Sequence, residues 1–383
     1  MRKYLVFFLL SAFAFLSGCG KKENLLDFTE NEINSTKYVQ SNDLSNHIEI
    51  VFYDLPCPEN AVIGAWCVYN DLIFYAVDYI DYLSDHTGTG TTIAPSEVYH
   101  TRILRYDIST KSATDFYITE SIIPISDLCC NGEILLWEEY PKNIEVSWEI
   151  KYKLLNDSSL EPNILLKDGD VDGILSDIIP NLDGNKVYLY DQTDTDNTAH
   201  PILLYYYDIT SGKTSLQKTE LDLSSPYEQV SILNQWMATY QININNSNIY
   251  IENIEHGENK VIRVPTRVCH PVTNGFYCVW KKTYDAELTP GYYLYNDYQK
   301  SIDYIQVENN IFAYTILGDY VILTCSDGIW CYDPEKRQYQ CLLDDEDYSY
   351  IYISIGEDGN AYTAVKTFQD GGIRIARIQL TNK

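Results

Sequence analysis

Basic residues are scarce in this chain of 383 residues, which carries 27 lysines and arginines against 55 aspartates and glutamates. The resulting formal net charge of −28 repels phosphate backbones, so the composition argues against nucleic-acid binding. Cations or basic partners are favoured instead. Because the acids are scattered along the whole chain, solubility alone is the simpler interpretation of this charge.

Motifs of the common catalytic and nucleotide-binding sites are also missing. The chain has no Gly-x-Ser-x-Gly, His-Glu-x-x-His, Gly-x-x-x-x-Gly-Lys, Gly-x-Gly-x-x-Gly or Cys-x-x-Cys segment, and its six histidines are scattered. Catalytic residues can be distant in sequence, so these absences weaken an enzyme hypothesis without excluding it.

No apolar run near the N-terminus is long enough to cross a bilayer, which needs about 20 residues. The run from Tyr4 to Phe15 follows two basic residues, Arg2 and Lys3, which is typical of a signal peptide. It leads into residues 16–19, with the sequence LSGC, which resembles the lipobox of bacterial lipoproteins. An ordinary secretory signal with an incidental cysteine is the alternative.

The lipobox resemblance implies cleavage before Cys19 and a diacylglyceryl group on its thiol. Two acyl chains hold a soluble domain stably at a membrane. We therefore expect residues 1–18 to be a lipoprotein signal peptide, and the mature chain to be anchored on the extracytoplasmic side of the cell membrane. Residues 19–46 are polar and poorly periodic, which predicts a flexible tether between the lipid and a folded part at 47–383.

Helical periodicity is not found after position 47, where strand-like runs alternate with turn residues. A strand, a turn and a second strand rich in Tyr, Val and Ile recur seven times, at 61–77, 121–140, 173–191, 228–242, 267–280, 311–325 and 350–365. Most of the turns contain Asn-Gly, Asp-Gly or similar pairs, which tolerate the positive φ of tight hairpins.

A second repeated motif follows most copies of this strand-turn-strand motif and supplies two more strands. It occurs at 102–118, 149–166, 203–219, 248–264, 292–307 and 329–343, and it ends as a single strand at 373–380. The mean period is about 45 residues, which matches a four-stranded propeller blade. The sequence therefore predicts an all-β fold, a seven-bladed β-propeller of four-stranded antiparallel blades. A pair of β-sandwiches is the structural alternative.

This repeat leaves the last unit one strand short and one strand without a unit. The last unit ends at residues 373–380 without a fourth strand, and the segment 47–54 is an alternating strand without a unit. An open edge on the last blade would invite unwanted pairing. We expect residues 47–54 to close the ring as the outermost strand of the last blade.

The chain resembles exported bacterial β-propellers, many of which are lipoproteins. It is also distantly similar to the propellers of the low-density lipoprotein receptor family, which share the strand end seen in LLYYYD at 203–208. The Tyr-Trp-Thr-Asp tetrad of those receptor propellers is missing, so no ligand is implied for this chain.

One acidic segment resembles the first half of an EF-hand calcium loop. Asp168, Asp170 and Asp172 alternate, and Gly173 occupies the sixth position, where it permits a sharp turn around the ion. The twelfth position holds Ile179 in place of a bidentate glutamate, which excludes a complete EF-hand. The three aspartates are candidate calcium ligands; an acidic turn without a metal is the alternative.

Cysteine is plentiful, and with the lipidated one set aside nine thiols remain, so at least one has no partner within the chain. Export would permit disulfides. Cys269 and Cys278 lie symmetrically about a predicted turn, as do Cys325 and Cys331, so each pair is a candidate cross-hairpin disulfide. Cys341 competes for Cys331.

Together these patterns favour a lipid-anchored binding or protein-interaction module with a protein or glycan partner. The segments 78–97 and 191–201 are the longest candidate recognition loops. The alternative is an envelope carbohydrate-active enzyme, a hydrolase or lyase using carboxylates near the propeller channel. A structural part of an envelope assembly is a third possibility. Catalytic and ligand-binding residues are not assigned by the sequence.

Overall fold

The protein is built almost entirely from β-strands. The computed structural model describes residues 25–35, 37–59, 61–79, 101–119, 125, 127–140, 148–156, 161–167, 181–183, 186–191, 200–208, 213–223, 231–282, 291–307, 311–344, 348–356, 358–367 and 373–381. Its only helices within these ranges are two 3₁₀ turns, Glu30–Glu32 and Leu44–Asn46. None of the described helices is long and apolar enough to cross a membrane. The all-β prediction is confirmed.

Four strands precede the repeats: β1 (Leu25–Asp27), β2 (Ile33–Ser35), β3 (Val39–Gln40) and β4 (Ile48–Leu55). Sheet I contains β5 (Ala61–Tyr69), β6 (Leu72–Tyr79), β7 (Arg102–Asp107) and β8 (Ser112–Ile118). Sheet II contains β9 (Leu128–Cys130), β10 (Ile134–Glu139), β11 (Glu149–Leu154) and β12 (Asn163–Lys167). Sheet III contains β13 (Asn181–Asp183), β14 (Lys186–Asp191), β15 (His200–Asp208) and β16 (Lys213–Leu223).

The remaining strands follow the same arrangement. Sheet IV contains β17 (Ser231–Leu233), β18 (Trp236–Ile242), β19 (Ser247–Asn253) and β20 (Asn259–Val264). Sheet V contains β21 (Val268–Thr273), β22 (Tyr277–Lys282), β23 (Gly291–Asn296) and β24 (Ser301–Gln306). Sheet VI contains β25 (Ile311–Leu317), β26 (Tyr320–Cys325), β27 (Gly328–Asp333) and β28 (Gln338–Asp344). Sheet VII contains β29 (Tyr348–Ile355), β30 (Ala361–Thr367) and β31 (Ile373–Leu380).

Within sheets I to VII, successive repeat strands pair antiparallel in chain order. The first repeated motif of the sequence supplies strands one and two of each sheet, and the second motif supplies the later repeat strands. Adjacent hairpins explain this order, because short turns can join only antiparallel neighbours.

Most sheets bury both faces against neighbouring sheets. In β22, Tyr277 and Val279 pack against sheet VI, whereas Cys278 and Trp280 pack against sheet IV. Successive side chains of a strand point to opposite faces, so a sheet between two others needs apolar residues at consecutive positions. Each large apolar side chain buried in this way contributes about 1.5–3 kcal/mol.

The described clusters show which sheets are neighbours. Shared apolar clusters join the following pairs: I with II, II with III, IV with V, V with VI, VI with VII, and VII with I. In these pairs consecutive units of the chain pack face to face, and the last sheet packs against the first.

The segment before the repeats is held along the outside of the molecule. We call residues 25–46 the N-terminal strap. Its strands β1, β2 and β3 pair in parallel with β20, β24 and β28, the fourth strands of sheets IV, V and VI. The strap thus covers three consecutive sheet edges that would otherwise be open to pairing with other chains.

Apolar side chains fix the strap to the sheets. Leu26, Phe28 and Ile33 pack against the cluster between sheets IV and V, and Tyr38 packs against the next cluster. Leu44 is completely buried between sheets VI and VII. The prediction of a flexible tether over residues 19–46 is therefore wrong for the described part of the strap. Its apolar residues are too irregularly spaced to give a strand pattern, yet each one meets an apolar surface.

Strand β4 continues from the strap into sheet VII. It pairs antiparallel with β31 along its whole length, from Ile48 opposite Leu380 to Leu55 opposite Ile373. This is the pairing expected from the incomplete last unit and the unassigned strand at 47–54. The fourth strand of the last sheet therefore comes from the opposite end of the repeat region.

The strap's contribution to stability can be tested at Leu44. Because its side chain is fully buried, we expect Leu44→Ala to lower the free energy of unfolding by about 2–4 kcal/mol. The matched control is Val39→Ala, since the Val39 side chain in β3 is 65% exposed, and a change within about 0.5 kcal/mol is expected. Urea unfolding midpoints measure both. Equal midpoints for the two variants would mean that the segment is a loose tether in solution.

Candidate functional site

Several positions singled out from the sequence lie outside the described residues. These are the lipidation position Cys19 and the three candidate calcium ligands, Asp168, Asp170 and Asp172. Most of the two candidate recognition loops, 78–97 and 191–201, also falls there. In the part of the chain that is described, no group of three or more His, Cys, Asp or Glu side chains is arranged to hold a metal ion.

The expected disulfide in sheet V is not found. Cys269 lies opposite Lys281, and Cys278 lies opposite Thr273, so the two cysteines do not face each other across the hairpin. The turn closes later than the sequence symmetry suggests, and an irregularity at His270, whose φ is 52°, shifts the register of the first strand. Both thiols are free.

The expected disulfide in sheet VI is not found either. A two-residue turn begins immediately after Cys325 and places Gly328 opposite it, while Cys331 lies opposite Ile322. The competing partner Cys341 lies opposite Trp330, so it does not face Cys331 either. All three thiols are free. A turn shorter than expected moves every later residue to a new partner, which explains the error.

Hydrogen bonds join neighbouring sheets at one end of the strands. The turns between strands one and two and between strands three and four lie at this end, which we call the turn face. The side-chain amide of Asn274 in sheet V donates to the carbonyl of Gly318 in sheet VI, at 3.0 Å. The ammonium of Lys260 in sheet IV donates to the carbonyl of Gly275 in sheet V, at 2.9 Å. These bonds fix the turns of three consecutive sheets relative to one another.

Two exposed aromatic rings lie on this face, in adjacent turns of sheet V. Phe276 is 48% exposed and Tyr298 is 67% exposed, and we call the pair the aromatic platform. Their rings are parallel to within 1°, with centroids 5.2 Å apart, and Tyr277 meets the Tyr298 ring edge-on at 6.2 Å. Large aromatic side chains left in solvent on an ordered surface are typical of recognition sites.

Backbone hydrogen bonds hold both platform residues in place. The side-chain oxygen of Asn274 accepts from the Phe276 amide at 3.1 Å, and that of Asn296 accepts from the Tyr298 amide at 3.0 Å. The amide of Asp297 donates to the Phe276 carbonyl at 2.8 Å and joins the two turns directly. These hydrogen bonds fix the backbone positions of both platform residues in the absence of a ligand.

Gly275 is required beneath the platform. Its φ is 89°, in the left-handed region that favours glycine. A Cβ at this position would lie 2.2 Å from the Trp236 ring of sheet IV, so the turn rests directly on that ring. Gly132 in sheet II lies against Tyr69 of sheet I in the same way, with the same 2.2 Å approach. The close contact between an Asn-Gly turn and an aromatic ring of the preceding sheet thus occurs twice.

An ionic cluster lies beside the platform. Asp297 accepts from Lys260 at 2.8 Å, from Lys300 at 2.9 Å and from the Tyr295 hydroxyl at 2.7 Å. Burial opposes ionisation of Asp297, but these hydrogen bonds outweigh it and lower its pKa to about 2. The carboxylate is therefore charged at all physiological pH values and holds both lysines at the edge of the platform.

Several carboxylates act on Tyr277, which contacts the platform. Burial raises the pKa of Tyr277 to about 12, and the nearby carboxylates of Asp319, Glu335 and Asp333 add to the shift. Exposed aromatic faces stack on planar or aliphatic groups, and they attract guanidinium and ammonium groups. A surface with these two components suits a partner that presents apolar and basic side chains together.

The enzyme hypothesis calls for a carboxyl group with a raised pKa, and Asp78 is one such group among the described residues. Burial raises the pKa of Asp78, and the Thr101 hydroxyl, which donates to this carboxylate, partly offsets the shift. Glycosidic chemistry needs a second acid near the first. The partner that the structure shows for Asp78 is a hydroxyl group.

Comparison with solved structures identifies the architecture. The chain is similar to the β-propeller domain of the Trilobed protease from Pyrococcus furiosus, with a TM-score of 0.58, 11% identity, and coverage of 85% of this chain and 99% of that one. The fold is a β-propeller. The Pan2 WD40 domain of Neurospora crassa gives a TM-score of 0.51 at 8% identity, covering 90% of this chain and 98% of that one.

Other similar structures are larger than this protein. For the acylaminoacyl peptidase of Pyrococcus horikoshii the TM-score is 0.53 at 11% identity, with 86% of this chain and 53% of that chain covered, so the propeller spans about half of the peptidase. No family model and no curated protein sequence matches. At such low identities the likeness concerns the fold and does not extend to peptidase chemistry.

The ionic cluster can be tested through Asp297. We expect Asp297→Asn to lower the free energy of unfolding by about 1–2 kcal/mol at neutral pH, because charged hydrogen bonds to half-buried groups are lost. The lowered pKa means that the carboxylate stabilises the fold above its ordinary value of 3.8 and loses this effect as pH falls through about 2. The difference between wild type and variant should therefore shrink below pH 3.8.

Urea unfolding at a series of pH values measures this difference. The control is Asp115→Asn, because Asp115 is 50% exposed and pairs with Arg102 at 3.4 Å. Its effect should stay within about 0.5 kcal/mol. A difference for Asp297→Asn that is constant across the series would show that the charge is not responsible.

Proposed function

We propose that this protein is a seven-bladed β-propeller that acts as a binding module for a partner protein in the cell envelope. Seven sheets within the described residues, the packing of sheet VII against sheet I, and the pairing of β4 with β31 support a closed ring of seven blades. In such a ring the turn face is one of two broad surfaces available to partners.

The aromatic platform is the observation that carries the binding proposal. Phe276 and Tyr298 expose apolar area although the surrounding turns are tied down by hydrogen bonds. A rigid surface loses little entropy when it binds, and aromatic residues dominate the energetics of protein interfaces. The net charge of −28 and the carboxylates near Tyr277 favour a partner with basic side chains.

The location of the module is part of the same proposal. The LSGC segment ending at Cys19 supports lipid attachment on the extracytoplasmic side of the cell membrane. Leu25, the first residue of β1, follows Cys19 by only six positions (25 − 19 = 6). Six residues span at most about 20 Å, so the propeller would be held close to the membrane at the outer edge of sheet IV.

The platform is tested by removing one ring. We expect Phe276→Ala to weaken partner binding by about 10- to 100-fold, as for an aromatic hot spot, while the fold is retained. The matched control is Phe312→Ala. Phe312 has a similar exposure of 50% but lies at the far end of β25, away from the turn face. Its loss should leave binding unchanged.

The partner can be found by photo-crosslinking in intact cells, with a photoreactive phenylalanine analogue at position 276 or 312 of the full-length chain. A protein adduct that depends on position 276 supports the proposal. A saccharide adduct at position 276 would instead favour a glycan-binding module. Identical adducts at both positions, or none at either, would remove the basis for a binding surface on the turn face.

Lipid attachment gives a separate prediction. We expect Cys19→Ala to abolish incorporation of a labelled fatty acid and to move the protein from the membrane fraction to the soluble fraction, because the thiol that accepts the lipid is gone. Cys57→Ala is the control, since Cys57 lies within the described propeller and should keep both label and location. Unchanged labelling of Cys19→Ala would contradict the anchor.

A further inference from the structure

Two cysteines that the sequence does not pair lie on facing sides of sheets I and II. Cys67 is in β5 and Cys130 is in β9, the first strands of these consecutive sheets, which contact each other. Both belong to the same apolar cluster between the two sheets. Their separation in sequence hides this relation, because no hairpin connects them.

The strand registers place the two side chains on the facing sides. Cys67 lies opposite Phe74 in β6, and Cys130 lies opposite Leu135 in β10. Residues directly opposite each other in a sheet share one face. Phe74 and Leu135 are both completely buried in the cluster between sheets I and II, so the cysteines beside them point into the same interface.

The close approach of Gly132 to Tyr69 sets the two cysteines at the same height. A Cβ at Gly132 would lie 2.2 Å from the Tyr69 ring, so these two positions are level across the interface. Cys67 precedes Tyr69 by two residues, and Cys130 precedes Gly132 by two residues. Cys67 and Cys130 are therefore also level with each other, and their side chains face each other across the interface between sheets I and II.

Both thiols are free in this structure. Burial raises the pKa of the Cys67 thiol, and the nearby Cys130 thiol adds to the shift. Cys129 is the neighbour of Cys130, but it packs on the opposite side of sheet II, against the cluster shared with sheet III. The geometry therefore distinguishes Cys130 from Cys129 as the partner of Cys67.

We propose that Cys67 and Cys130 form a disulfide that links the first strands of sheets I and II when the protein is exported. The proposal depends on the extracytoplasmic location given above, because oxidising compartments permit stable disulfides. Such a bridge would close a loop of residues 68–129, which contains β6, β7 and β8 but only the last two residues of β5. A bridge around a long segment restricts the unfolded chain strongly.

The reaction is a thiol–disulfide exchange with an oxidant of the disulfide class, such as a dithiol oxidase in its disulfide form or oxidised glutathione. One cysteine thiolate of the pair attacks the oxidant's disulfide, whose S–S bond breaks to give a mixed disulfide and one thiol of the oxidant. The thiolate of the other cysteine then attacks the protein sulfur of the mixed disulfide and releases the oxidant's second thiol. Two protons and two electrons leave the pair, and the oxidant's disulfide is reduced to two thiols.

The test uses the full-length protein isolated from cells without reductant. Free thiols are blocked, the chain is digested under non-reducing conditions, and crosslinked peptides are identified by mass spectrometry. We expect a peptide pair joined through Cys67 and Cys130. Reductant should lower the melting temperature of the wild type by about 5 °C, and it should have no such effect on the Cys67→Ser and Cys130→Ser variants.

Cys57→Ser is the matched control, because Cys57 is a partly buried thiol of the same region whose bond goes to the backbone carbonyl of Ala61, at 3.2 Å. This variant should keep both the crosslink and the effect of reductant. A bridge from Cys67 to Cys129, or one between Cys129 and Cys130, would overturn the assignment.

A second arm separates this inference from the proposed location. Purified, reduced protein is incubated with reduced and oxidised glutathione. Closure of the 67–130 bridge in this buffer supports the pair even if fractionation places the protein in the cytoplasm, which would contradict only the location. Protein that is membrane-associated but keeps both thiols reduced, and that fails to close the bridge in the buffer, would overturn the disulfide.

Discussion

Face-to-face packing of consecutive sheets is the interaction on which the rest of this structure depends. A four-stranded sheet with two apolar faces is not stable alone in water, since each face must be covered by another sheet. In β22 the two faces are supplied by alternate residues, with Val279 on one side and Trp280 on the other. Apolar strand residues therefore recur in every unit of the sequence, because each sheet must bury apolar side chains against both of its neighbours.

The N-terminal strap pairs with strand edges at the outside of the molecule that would otherwise be unpaired. The fourth strand of each blade has an exposed edge, and in sheets IV to VI that edge is paired with β1, β2 and β3. Parallel pairing along three sheets in succession also fixes the direction in which the N-terminal segment runs. If the chain is anchored at Cys19, the same contacts that protect the edges hold the propeller in one orientation relative to the membrane.

Packing between neighbouring sheets also fixes the turns on the turn face. Asn-Gly turns approach the aromatic ring of the preceding sheet closely, as Gly275 approaches Trp236, and side chains from neighbouring sheets bond to the turn carbonyls. The strand packing thus determines where the turns lie, and the turns determine where Phe276 and Tyr298 are exposed. Recognition on this face would rest on groups positioned by the core.

The sequence by itself determined the strand repeat, the turns and the leftover strand at 47–54, since these follow from local alternation and turn chemistry. The aromatic platform, the strap contacts and the approach of Cys67 to Cys130 were decided by tertiary structure, because they join residues far apart in the chain. The misplaced disulfides have the same cause. A hairpin's register depends on the turn and bulge that form, and a shift of one residue moves a cysteine to a different partner and face.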